Sequence, residues 1–282
     1  MTEPDEALRD ALDALVARAE AVGGRMALDV RHLEGGWTYA HRAEEAFVAA
    51  SVIKLPVLVA LYEAAAAGRM RLDRRVRLRA EDQVTGSGVL QFLSPGLRLP
   101  LRDLAELMIV CSDNAATNIL LRVLGVEAVN ACLDALELRT SRLRRPLQVV
   151  PAGAGEPNRI TARDMAELLV RLASGQAVSF EACRRMIATL KRTQAADGLP
   201  ALLPGPPAGP VGAPPPWEWA HKTGSVTGYE HDVGLLYLPG QTVAVAALSA
   251  GCGTPRQARA LLAEVGRAVF GACAGPLSAR PA

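Results

Sequence analysis

The stretch "WEWAHKTGSVTGYEHDVGLLYLPGQTVAVAALSA", residues 217–250, decides how this chain is assembled. Its three apolar runs, "WEWAHKTGSV", "EHDVGLLYLP" and "QTVAVAALSA", are broken at Gly228 and at Pro239-Gly240. Runs of this length and composition between turn residues read as a meander of three strands. Upstream, "GLPALLPGPPAGPVGAPPP", residues 198–216, is a proline-rich connector in which regular structure is excluded. Before it, back to Gly68, the pattern is helical. "LPLRDLAELMIVC", "NAATNILLRVLG", "VEAVNACLDALEL" and "TARDMAELLVRLASG" each carry apolar residues at i, i+3 and i+4. Thr161 followed by Asp164 opens the last of these like a capping box.

Strands reappear only near the N-terminus. "RMALDVRHL" and "GWTYAHRA" read as two strands joined at Gly35-Gly36. An amphipathic helix with Leu8, Leu12, Leu15 and Val16 at helical spacing precedes them, and a helix over residues 51–67 follows. A last helix runs from about Pro255 to Phe270. Strands from both ends thus enclose a helical middle. The expectation is an α/β (α+β) protein with one sheet in residues 1–67 and 205–282 and an inserted all-helical lobe in residues 68–204. A cleft between two such lobes is a common place for a site.

Composition narrows the partners. Half of the 282 residues are hydrophobic and the net charge is +2, so neither nucleic acid nor a membrane is expected as a partner. The chain starts with acidic residues rather than a basic run leading into an apolar one, so no signal peptide and a cytoplasmic location are expected. Cys111, Cys132, Cys183, Cys252 and Cys273 are odd in number and lack C-x-x-C spacing, which fits buried thiols in a reducing compartment. His32, His41, His221 and His231 show no ligand pattern, and neither metal nor cofactor is expected. A monomer acting on a small-molecule or peptide-like substrate is the expectation.

The chemistry is marked by lysine. Of the 31 basic residues only Lys54, Lys191 and Lys222 are lysines. A lysine kept where arginine is the habit marks a place where arginine fails. Ser51 lies three residues before Lys54, so a helix puts both on one face. A serine hydroxyl needs a base to become a nucleophile, and lysine can be that base once burial and positive neighbours lower its pKa. Arginine stays protonated and cannot. Taken alone the pair reads equally as a helix cap and a surface charge. Two further groups weigh against that. Ser112-Asp113-Asn114 lies between two helical segments, and Lys222-Thr223-Gly224-Ser225 lies on the first strand of the meander.

The order S-x-x-K, S-D-N, K-T-G is the signature of penicillin-recognising serine enzymes. The intervals, 61 residues from Ser51 to Ser112 and 110 from Ser112 to Lys222, are similar to those of class A β-lactamases, and the sequence resembles the class A β-lactamase-like serine hydrolases over nearly its whole length. The resemblance implies a five-stranded antiparallel sheet with flanking terminal helices and a helical lobe. It implies that Ser51 is the acylated nucleophile, Lys54 its base and Ser112 the proton donor to the leaving nitrogen. Asn114 would hold the substrate amide, Lys222 supply positive potential and Thr223 bind a substrate carboxylate. Gly224 belongs to the same motif, and the backbone N–H groups of Ser51 and Ser225 would form the oxyanion hole. Gly86, Ser87 and Gly88 would turn on the cleft rim.

One departure from the family pattern stands out. Class A β-lactamases carry an omega-loop glutamate that activates the water clearing the acyl-enzyme. Counting on from Asn114, its place falls near Leu147 in "RRPLQVVPAG", which holds no acid. Glu156, followed by Pro157, is the substitute candidate, but the helix opening at Thr161 leaves little loop after it. Hydrolysis of β-lactams or related amides and esters with slow clearance is therefore expected. A D-amino-acid peptidase or esterase on the same scaffold, and a non-turnover penicillin-binding sensor, are the alternatives.

Overall fold

The computed structural model describes residues 4–148, 155–205 and 215–274. Helix α1 (Glu6–Ala21) starts at Asp5, whose carboxylate caps Leu8 N, and buries Leu8, Leu12, Leu15 and Val16. Strands β1 (Arg25–His32), β2 (Thr38–His41) and β3 (Phe47–Val48) follow. A 3-10 turn over Ala50–Ile53 leads straight into α2 (Lys54–Ala66). Strands β4 (Arg75–Arg77) and β5 (Arg98–Pro100) form a small pair. Helices α3 (Leu101–Val110), α4 (Asn114–Leu124) and α5 (Val126–Ala135), strand β6 (Arg159–Ile160), and helices α6 (Ala162–Ala173) and α7 (Phe180–Leu190) complete the middle of the chain. Strands β7 (Glu218–Val226), β8 (Tyr229–Leu238) and β9 (Gln241–Ala250) and helix α8 (Pro255–Ala274) close it.

The expected meander is β7-β8-β9, and the main sheet has the order β2-β1-β9-β8-β7 with every pair antiparallel. β9 lies at its centre because its side chains from Val243 to Ala250 are apolar or small and buried throughout. A strand covered on both faces needs such a run. β7 ends the order and is an edge strand. One face is packed by α1 and α8 through Leu12, Leu15, Leu262, Val265 and Val269. The other carries α6 and the helical lobe, with Leu28 and Val245 facing α1 and α8 and Ala27 and Ala246 facing the lobe. Each fully buried Leu or Val contributes about 1.5–3 kcal/mol, so both faces are needed to hold the layers.

Two elements cross the boundaries expected from the linear pattern. α2, expected with the sheet, packs among α3, α4, α5 and α7 as the axis of the helical lobe. It is apolar almost all round, as a surrounded helix must be. α6, expected with the lobe, lies on the sheet against β1, β8 and β9. The short pairs β3–β6 and β4–β5 were not foreseen. The connector has no strand or helix over residues 198–205, and 206–214 lie outside the described residues. Among the described residues no single helix is long and apolar enough to cross a membrane.

Candidate active site

Ser51 sits in the 3-10 turn and Lys54 is the first residue of α2. Their polar atoms, Oγ and Nζ, are 3.0 Å apart. Ala50, just before the serine, has φ +45°, a left-handed value that costs a non-glycine residue on the order of 1–3 kcal/mol. Ser112 has φ +55°. Two such residues on opposite sides of Lys54 show a backbone held against its preference by the packing around it.

Lys54 is 0% exposed. Its amine lies 2.6 Å from Ser112 O, 2.8 Å from Asn114 Oδ1, and 3.0 Å from the hydroxyls of both Ser51 and Ser112. The Asn114 amide is oriented by Nδ2, which donates to Thr85 O at 3.1 Å, so its oxygen faces the lysine. Burial, reinforced by the charge of Lys222, pushes the Lys54 pKa well below its ordinary value. Lys222, 1% exposed on β7, donates to Thr223 O at 2.8 Å and to Ser112 Oγ at 3.1 Å. Burial lowers its pKa to about 8, against the opposing pull of the Asp232 carboxylate. Ser112 Oγ therefore lies between two amines whose pKa values are both lowered by burial.

Asp113 fixes this corner. It caps α4 through Ala116 N at 2.8 Å and accepts from Val89 N and Leu90 N at 2.7 and 2.8 Å. Gly88, at φ +103°, presses on it so closely that a Cβ there would lie 2.3 Å from Asp113. The expected rim turn at Gly86, Ser87 and Gly88 is thus a strap across the start of α4, and Asn114 N donates to Ser87 O at 3.0 Å. On the other side a Cβ at Gly224 would meet Val52, Ala50 and Ser51 N at 3.0–3.1 Å, so β7 runs near the nucleophile's N–H with no room for a side chain unless the neighbours shift by a few tenths of an ångström.

Ser51, Asn114, Gly86, Ser87, Leu147, Asn158 and Ser225 line one cleft of about 290 Å³. Leu147, where the count from Asn114 placed the missing acid, is in this lining. Among the described residues the lining holds no Asp or Glu. Glu156 is not part of it. Its side chain is 64% exposed and pairs with Arg144 at 2.7 Å. A larger cavity, about 750 Å³ among α2, α3 and α7, shares no residue with this cleft and holds no serine or lysine.

Several contributors escaped the sequence reading. Asn158 accepts from Arg144 N and Arg145 N at 2.7 and 3.0 Å and donates to Arg145 O at 3.0 Å. Asn130 clamps the backbone of Leu143, and Asn118 that of Leu147. His231 accepts from Ser249 N through Nδ1, so its Nε2–H donates to Val48 O at 2.8 Å. Burial holds it neutral down to about 4. Asp232, fully buried, pairs with His221 Nδ1 at 2.9 Å and accepts from Leu199 N at 2.8 Å, on the sheet face opposite Ser112. A signal existed for these last groups. The turn at Gly228 fixes the β7–β8 register, and counting outward from it sets Thr223 opposite Asp232.

Known proteins share this fold. β-Lactamase L2 of Stenotrophomonas maltophilia is 30% identical over 275 residues, 94% of this chain and 86% of that protein. The crystal structure of a β-lactamase from Sphaerobacter thermophilus superposes with a TM-score of 0.86 at 36% identity, covering 93% of this chain and 96% of that one. A leucine-to-glutamate mutant of PBP-A, solved as an acyl-enzyme complex with penicillin G, superposes at 0.82 with 27% identity, over 96% and 98% of the two chains. The family described as "Beta-lactamase enzyme family" matches residues 7–273, from within α1 to the end of α8. That span contains both ends of the sheet and every cleft residue, and the chain belongs to this family as a serine hydrolase of the β-lactamase type.

Proposed function

We propose that Ser51 attacks the carbonyl of a β-lactam, or of a related amide or ester, and holds the product as an acyl-enzyme that clears slowly. One observation carries the first half. A neutral lysine amine has two N–H groups and one lone pair. Ser112 O and Asn114 Oδ1 can only accept, so they take the two hydrogens. The lone pair is left to accept from one hydroxyl at a time, that of Ser51 or that of Ser112. Lys54 is thereby arranged as the base that serine needs.

The steps balance around it. Ser51 Oγ bonds to the carbonyl carbon as its proton passes to Lys54 Nζ. The developing oxyanion is met by the N–H groups of Ser51 and Ser225. The carbon–nitrogen bond then breaks. Ser112 gives its proton to the leaving nitrogen and recovers one from Lys54, which returns to neutrality. Lys222, still charged at neutral pH, supplies positive potential through Ser112 and Thr223 to a substrate carboxylate.

Slow clearance is supported by the other wall of the cleft. Leu147 offers no base for a hydrolytic water, and Glu156 is turned into solvent against Arg144. An intact-mass time course with a penicillin tests both halves, with Ser51→Ala as control. The expected record is a gain of one ligand mass that persists and is absent from the control. No gain, or an equal gain in the control, overturns the nucleophile. Consumption of the drug with return to the starting mass overturns the slow clearance alone.

A further inference from the structure

Ser225 is exposed at the cleft, and across the β7–β8 ladder it stands opposite Glu230. Cross-strand partners in such a ladder are direct neighbours. The Ser225 hydroxyl is 2.7 Å from Glu230 Oε1. Glu230 is only 5% exposed. A hydroxyl has one hydrogen and two lone pairs, and an ionised carboxylate only accepts. The Ser225 hydrogen is therefore committed inward, and its lone pairs are what the hydroxyl presents to the cleft.

The charge at this end has the same sign. Arg259 on α8 approaches Glu230 at 3.6 Å, too far for a hydrogen bond, and is shared with Asp197 at 3.1 Å. One guanidinium between two carboxylates leaves a net negative group beside Ser225. His231, the next residue along, is turned to Val48 O and is neutral. The cations on the cleft side are Lys222, whose amine is taken up by Ser112 and Thr223 O, and Arg145, which shares the lining with Ser225.

We propose that Glu230 is a specificity residue, which through Ser225 weakens the hold of Lys222 and Thr223 on a substrate carboxylate and favours neutral or hydrogen-bond-donating groups beside Ser225. The inference rests on the acyl-enzyme reading above. Protonation of Glu230 reverses the polarity. A neutral carboxyl donates to Ser225 Oγ, which frees the hydroxyl hydrogen for a substrate carboxylate. Burial raises the Glu230 pKa above its ordinary value, with Asp197 adding to the shift and Ser225 and Arg259 opposing it. The reversal therefore falls at a higher pH than an ordinary glutamate would give.

A penicillin and its methyl ester share one reactive ring and differ in the carboxylate alone. Their rates of Ser51 adduct formation, followed by intact mass, give an acid-to-ester ratio that cancels what acts on both alike. The ratio is expected to rise about tenfold in Glu230→Gln, the size of a like-charge interaction across about 12 Å near a surface. In the unmodified protein it is expected to rise as the pH is lowered through the range in which Glu230 takes up its proton, which lies above that of an ordinary glutamate, and this dependence disappears in the variant. A ratio that is the same in a folded Glu230→Gln as in the unmodified protein overturns the assignment. If neither compound acylates Ser51, the acyl-enzyme reading and the inference fall together. If both acylate and the ratio does not move, only the inference falls.

Discussion

On one side of the cleft, Lys54, Ser112, Asn114 and Lys222 are buried or half-buried and bonded to one another. On the other, the backbone of residues 143–147 is held by the amides of Asn118, Asn130 and Asn158. The first side spends its precision on side chains that move protons. The second spends it on placing a leucine. Rigid positioning and reactive chemistry are thus separable. The chain keeps the support for a group at Leu147 while the group itself is apolar, so acyl transfer and its completion by water are set by different residues.

That contrast can be broken from either side. The largest effect is expected from Lys54→Arg, which keeps the charge and removes the lone pair. Acylation should slow by about 10³-fold, measured as the rate of adduct formation. A rate within a few-fold of the parent would show that charge sufficed. Next comes Leu147→Glu, which places a carboxylate on the clamped backbone of the cleft that Ser51 also lines. The adduct lifetime should shorten about 10²-fold, and an unchanged lifetime in a folded variant would mean that the second wall does not govern clearance.

Smaller changes sharpen the comparison. Asn158→Ala removes three hydrogen bonds from residues 144 and 145 and should cost about 2 kcal/mol in denaturant unfolding. Acylation should survive, because the bond from Ala49 N is to the backbone oxygen of Asn158. The rate of acylation by a carboxylate substrate should fall above a pH of about 8, as Lys222 loses its proton. Asp232→Asn removes the charge that opposes this loss, so the alkaline limb should move to lower pH, by about one unit. A limb that stays in place would separate Asp232 from Lys222. Least of all, Glu156→Gln should leave the adduct lifetime unchanged, since Glu156 faces solvent and Arg144.

Much of the first wall was legible in the sequence, and little of the second. Lys54 and Lys222 are two of three lysines in a chain that otherwise uses arginine, and Ser51 and Ser112 are marked only by their place in the motifs beside them. The main sheet was legible because β7, β8 and β9 each run nine or ten residues between clear breaks. β3 and β6 have two residues each, too short for any periodicity to register. The asparagine clamps join residues 13 to 29 positions apart, and an asparagine in a helix or loop has the same local signature whether or not it has a distant partner. The placement of α6 on the sheet was hidden because a helix's apolar stripe says that it packs, not against what.

The sheet order has a consequence for synthesis. β1 is made first and finds its place only between β2 and β9, pairing Arg25 with Ala250 and His32 with Val243. Until residue 250 has left the ribosome, the second edge of β1 has nothing to bond. A nascent chain must carry a ribbon of apolar residues through the whole translation of the helical middle. Contacts this distant in sequence slow folding and lengthen exposure to aggregation. Moving the chain ends into the 198–216 connector, so that β7, β8 and β9 are made just before β1, would let the five strands meet as neighbours in time as well as in space.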